Sequence, residues 1–166
     1  TTFANAAISC FDGYSSLSSG LKFMRFCFQQ YGKTLDDDAA LRRLLEDAAK
    51  RLLYRWHIKL PVEKLFRELR RSDLSYSRTY DVIVKEILGL TNLASNNQWV
   101  DKLALGWDLA EDFLDLFPEG VVLHVIRNPV DVLKSFQAMT TEPSPLYLDA
   151  IFNCYSSFTF AEKILM

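Results

Sequence analysis

Arg127, Asn128, Pro129, Asp131 and Ser135 are the residues whose types and order could do chemistry. They follow an apolar run, residues 121–126, that is short, rich in β-branched side chains and bounded upstream by the turn Pro118-Glu119-Gly120. Such a run predicts a buried parallel strand. Asn128 as cap and Pro129 in the first helical position predict a helix directly after it. In open α/β sheets, ligands bind outside the carboxyl ends of the strands. A guanidinium there can hold a phosphate through two parallel hydrogen bonds. The N–H groups and dipole of the following helix would add to it. Ser135 lies six residues beyond Pro129, ~9 Å along a helix that rises ~1.5 Å per residue, so periodicity alone does not bring it to the same phosphate. On the residues alone a plainer reading stays open, in which Arg127 pairs with Asp131 and Ser135 simply packs.

Other chemistry-bearing side chains are sparse. His57 sits beside Trp56 near a helix end and reads as structural. His124 lies within the apolar run and reads as a core or supporting group. Lys102 is either solvated or part of an anion site. Cys10, Cys27 and Cys154 are odd in number and far apart, with neither metal-ligand nor disulfide spacing; buried free thiols are the expectation. No metal is implied.

The elements that must position these residues read as one domain of 166 residues, about half of them apolar. Lys and Arg total 19 against 21 Asp and Glu, which gives no general case for nucleic acid or an anionic membrane surface. A local cluster of cations could still take a small anion. No apolar run approaches the ~18 residues of a membrane span, and no signal peptide is visible.

Residues 3–11 predict a short helix and residues 14–19 a short strand or loop. Residues 21–31, rich in aromatics, predict a buried helix. Asp36, Asp37 and Asp38 supply a cap and a negative first turn. Leu41, Leu44, Leu45, Ala48, Leu52 and Trp56 then recur at helical spacing, while Arg42, Arg43, Lys50, Arg51 and Arg55 form a solvated basic face. Pro61 is expected to open a helix running to Arg71. Another is expected over residues 77–88, ending at Gly89. Residues 91–98 read as a connector, 99–102 as a strand end, 107–117 as helix, 140–145 as loop and 146–165 as a last helix. The sum is an α/β chain, helix-rich, in which a helical insertion (residues 21–89) lies between sheet elements.

The run Arg127-Asn128-Pro129-x-Asp131-Val132-x-x-Ser135 resembles the 3′-phosphate-binding motif of sulfotransferases that use 3′-phosphoadenosine 5′-phosphosulfate (PAPS). In that family an Arg ends a buried strand, a Ser follows eight residues later, and both contact the donor's 3′-phosphate. Leu116-Phe117-Pro118 and His124 resemble the accompanying LFP…F-I-H-I-I-R-D-P pattern. Trp99-Val100-Asp101-Lys102 resembles the W-G-(D/E)-K-T-P segment, which implicates Lys102 at the donor site. Thr1-Thr2 resembles the end of the family's 5′-phosphosulfate loop, so the chain is expected to begin inside that loop and to stop short of later binding segments. The resemblance implies a P-loop-type parallel sheet, here partial, with a large helical insertion. The donor region would span residues 99–139. It further implies transfer of a sulfonate from PAPS as co-substrate to a hydroxyl or amine of a small-molecule or carbohydrate acceptor.

Two departures stand out. Ala104 occupies the place of the His that serves some members as base, and Ser18-Ser19-Gly20 has no acid where another branch carries Glu, so no catalytic base is identified. Rival readings are a helical protein-interaction module, resting on the amphipathic stretch 36–56, and a sulfotransferase-like scaffold without catalysis. A P-loop phosphotransferase would require G-x-x-x-x-G-K-[ST], which the chain lacks.

Overall fold

The structure, a computed structural model, describes residues 2–17, 20–71, 74–90, 98–103, 107–139 and 148–165. Helix α1 (Thr2–Ile8) leads into strand β1 (Tyr14–Ser16). Helices α2 (Phe23–Phe26), α3 (Asp38–Trp56), α4 (Val62–Leu69) and α5 (Tyr76–Leu88) follow, before strand β2 (Gln98–Val100). A single 3-10 turn (Trp107–Leu109) then precedes α6 (Ala110–Leu116), α7 (Pro129–Met139) and α8 (Leu148–Leu165). The chain is thus helix-rich, with a small two-stranded sheet.

β1 and β2 pair in parallel, Tyr14 with Gln98, Ser15 with Trp99 and Ser16 with Val100. Backbone bonds from Gln98 N to the Gly13 carbonyl (2.8 Å) and from Leu17 N to the Val100 carbonyl (3.0 Å) extend the ladder at both ends. Parallel neighbours need a crossover, and α2 to α5 supply it, where the helical insertion is expected.

The crossover holds the core. In α3 the apolar positions fall on one face, and Leu41, Leu44, Leu45, Ala48 and Leu52 are all buried. They meet Leu65, Phe66 and Leu69 of α4, which in turn packs on α5 with its buried Val82, Ile83 and Val84. Each buried Leu or Ile contributes roughly 1.5–3 kcal/mol relative to exposure. Caps fix the helix limits. Asp37 Oδ1 accepts from Ala39 N at 2.8 Å, and the Ser75 hydroxyl accepts from Arg78 N at 3.2 Å. His57 (φ 57°) and Gly89 (φ 69°) end α3 and α5 in the left-handed region.

Two expectations need correcting. The helix foreseen over residues 21–31 shrinks to Phe23–Phe26, because Lys22 and Gln29 both take φ 56° and break it on either side. Leu21, Phe23, Met24 and Cys27 are buried there all the same, while Phe26 and Phe28 are half-buried. The buried parallel strand foreseen over residues 121–126 does not form. A strand needs a hydrogen-bonded neighbour, and this run shares a cavity with β2 instead of pairing with it. Val121 is accordingly 87% exposed and Leu123 66%. The foreseen loop 140–145 and connector residues 91–97 lie outside the described residues. Among those described, no helix is long and apolar enough to cross a membrane.

Candidate functional site

A tether of hydrogen bonds stands at the carboxyl end of the sheet. Asp101 follows β2 directly. Its Oδ1 accepts from Leu21 N (3.0 Å) and Lys102 N (2.6 Å), and its Oδ2 from the Tyr80 hydroxyl (2.5 Å). Gly20, with φ +47°, lets the two backbones approach: a Cβ there would lie 2.9 Å from the Lys102 carbonyl oxygen. Burial raises the Asp101 carboxyl above its ordinary value, and the three donors oppose that rise. Burial likewise pushes the Tyr80 phenol well above its usual range, so Tyr80 remains the donor.

Aromatic packing holds this tether rigid. Tyr80 stacks on Phe23 at 4.3 Å and lies 5.0 Å from Trp99. Phe113 and Phe117 meet Tyr80 edge-on. Trp99 Nε1 donates to Asp81 at 2.9 Å, and Lys85 pairs with the same carboxylate. Beside the tether opens a cavity of about 1460 Å³, walled by β2, Lys102, α6 and residues 120–125. His124 lines it and is held there by Ser157 of α8, 2.9 Å from Nε2.

Arg127 stands exposed just before α7, and its side chain makes no hydrogen bond or ion pair among the described residues. The foreseen Arg127–Asp131 pair is therefore not formed. The free N–H groups foreseen at this helix start are not free either. Asn128 Oδ1 accepts from Val130 N (2.9 Å), and the Asn128 carbonyl accepts from Asp131 N and Val132 N. Pro129 has none to offer. An anion at this point would thus be held by the guanidinium. Ser135, half-buried two turns along α7, has no hydrogen-bonding partner among the described residues.

Lys102 lines the cavity, whereas Arg127 and Ser135 lie outside its wall. Thr1 lies outside the described residues, as do Ser18, Ser19 and Ala104, and Thr2 opens α1. Asp101 and Tyr80 were missed as a pair. Asp101 stands beside Lys102 in a noticed segment, but nothing in the sequence says that a tyrosine 21 residues upstream donates to it. Among the thiols, Cys27 is buried, which pushes it up to about 12, while Cys10 is exposed and Cys154 intermediate. Among the described residues no group of His, Cys, Asp and Glu is arranged to hold a metal ion.

Compared with known protein families, curated proteins and solved structures, the chain matches none.

Proposed function

We propose that this chain is part of a PAPS-dependent sulfotransferase. Its support is the Arg-Asn-Pro…Ser motif together with one observation. Arg127 is an exposed cation with no partner among the described residues, set beside a helix whose cap is already satisfied. An Arg kept for structure normally has a carboxylate or carbonyl to hold; this one is left to solvent or a ligand. Its fork suits a phosphate better than a Lys would. In the proposed reaction the acceptor oxygen or nitrogen attacks sulfur as the bond from sulfur to the 5′-phosphate oxygen breaks. The acceptor's proton passes to a base, and 3′-phosphoadenosine 5′-phosphate leaves. Arg127 and Ser135 would fix the 3′-phosphate and so orient the donor. Lys102, in the cavity wall, would face the leaving phosphate.

The interaction-module reading rested on the amphipathic stretch now seen as α3. That apolar face is buried against the chain's own helices, which removes its motive. Calorimetric titration with 3′-phosphoadenosine 5′-phosphate beside 5′-AMP tests the sulfotransferase reading. Wild type should prefer the 3′-phosphate, and Arg127→Ala should lose roughly 1.5–3 kcal/mol of binding, the worth of a charged hydrogen bond. Equal binding of both nucleotides by a folded chain would set the reading aside.

A further inference from the structure

Five cations lie near one another on the surface, and none of them is held in an ion pair among the described residues. Lys22 caps α2 in a left-handed conformation, and Arg25 follows one turn later. Arg51 and Arg55 project from α3 four residues apart, on one side of that helix. Lys102 follows β2 at the carboxyl end of the sheet, where its backbone packs on Gly20, two residues before Lys22. Phe26 lies against two of them: the Arg51 guanidinium carbon is 3.7 Å from its ring centroid and that of Arg25 is 5.2 Å. Partial burial and then the charges of Arg55, Arg25, Lys102 and Arg51 lower the Lys22 ammonium from its usual range.

Several other surface cations are neutralised by a neighbouring carboxylate. Arg42 pairs with Glu63, Lys64 with Glu86, Arg70 with Asp38 and Lys85 with Asp81. None of Lys22, Arg25, Arg51, Arg55 and Lys102 makes an ion pair among the described residues. Asp47, one turn before Arg51, is taken by the Tyr31 hydroxyl and Lys50. The expected solvated basic face of α3 is therefore divided. Arg42 is paired with Glu63, while Arg51 and Arg55 join a cluster that forms no ion pair among the described residues. Unrelieved repulsion of this kind costs stability, and a bound anion would relieve it.

We infer that the cluster of Lys22, Arg25, Arg51, Arg55 and Lys102 around Phe26 is a binding site for a multivalent oxyanion, a compact molecule carrying two or more phosphate or sulfate groups. Three guanidiniums supply planar forks for oxyanion edges. Two ammonium groups supply point charges. The Phe26 ring already carries guanidiniums, so it is not a free platform for stacking nucleobases as single-stranded nucleic acids require. The chain's overall charge of −2 confines the attraction to this patch. The site shares Lys102 with the proposed donor pocket, but its other four cations, Lys22, Arg25, Arg51 and Arg55, lie outside that reading, and it does not depend on Arg127.

The test is calorimetric titration of the chain with inorganic tripolyphosphate and, separately, with a fully sulfated tetrasaccharide, near physiological salt. Variants Arg55→Gln and Lys22→Gln are compared with Arg67→Gln, a cation on α4 outside the cluster, and thermal melts confirm folding. Both cluster variants should bind about 3- to 10-fold more weakly, and Arg67→Gln as wild type does. Arg55 is exposed, so its replacement disturbs no packing. Binding of tripolyphosphate alone would make the ligand a phosphate compound. Binding of the tetrasaccharide alone would make it a sulfated sugar, and binding of both a site selective for charge. No binding of either probe at millimolar concentration overturns the inference. So does weakening by Arg67→Gln equal to that by the cluster variants.

Discussion

Tyr80→Phe removes one oxygen and tests whether the tether at Asp101 organises the site. The ring should stay in place, since Phe23 stacks on it at 4.3 Å and Trp99, Phe113 and Phe117 surround it. What goes is the hydroxyl that donates to Asp101 Oδ2 at 2.5 Å. Leu21 N, 3.2 Å from that oxygen, is then its remaining donor. A hydrogen bond to a charged group contributes ~1.5–3 kcal/mol, and about 2 kcal/mol is expected here near neutral pH. In a chain of this length that lowers Tm by about 4–8 °C. The pH dependence has a definite sign. Asp101 has a native pKa raised above its unfolded value, so its contribution to stability is full below about pH 4 and is lost as pH rises through the native value. The Tyr80 hydroxyl holds that native value down, and the variant lets it rise further. The deficit of the variant should therefore be about 1 kcal/mol near pH 4, the worth of a neutral hydrogen bond, and widen towards neutrality. Urea denaturation at both pH values measures it. A deficit under about 0.5 kcal/mol at neutral pH, or one that does not change with pH, refutes the reasoning.

Gly20→Ala should cost about 2 kcal/mol or more, since the left-handed φ is strained for alanine and its Cβ would press on the Lys102 carbonyl and Asp101 Oδ1. Denaturant melts would show it, and an unchanged midpoint would mean that the backbones can separate freely. Burial is also uneven: the buried cluster lies between Leu17 and Val84, whereas α7 has no described residue in it. Amide exchange should accordingly be about 100-fold or more faster in α7 than in α3, and equal protection would count against this division.

Much of the architecture was legible in the sequence because it rests on local rules. The Asp cap and the 3.6-residue stripe from Leu41 to Leu52 set α3, and Gly89 ended α5 in the left-handed turn that glycine favours. The failures were of another kind. The run at residues 121–126 has the composition of a buried strand, but pairing is decided by what lies alongside, and composition says nothing of that. Residues 21–31 have aromatics enough for a buried helix, yet left-handed turns at Lys22 and Gln29 leave only one turn of it. The Arg-Asn-Pro motif located Arg127, and Asn128 caps α7 as its type suggests. That same cap removes the N–H groups expected to serve an anion. The Asp101–Tyr80 bond and the five-cation cluster join residues far apart in sequence, and no spacing rule reaches that distance.

The parallel pairing of β1 with β2 joins residues 84 positions apart, from Tyr14 to Gln98. Closing so long a loop in an unfolded chain costs ~4 kcal/mol of entropy, against ~3 kcal/mol from three rungs of ladder at ~1 kcal/mol each. Contacts within α3, α4 and α5 are far more local, and helices form in about a microsecond or less. Once those helices have packed, the two strand ends already stand close and the closure is largely made. The sheet is therefore expected to form late, on a packed helical body. Asp101, Lys102 and Gly20 sit at its edge, so the tether and the cations gathered round it come into being with the last contacts of folding. An intact site is in this sense a report that the whole crossover has folded, and a partly folded chain would present the same residues scattered.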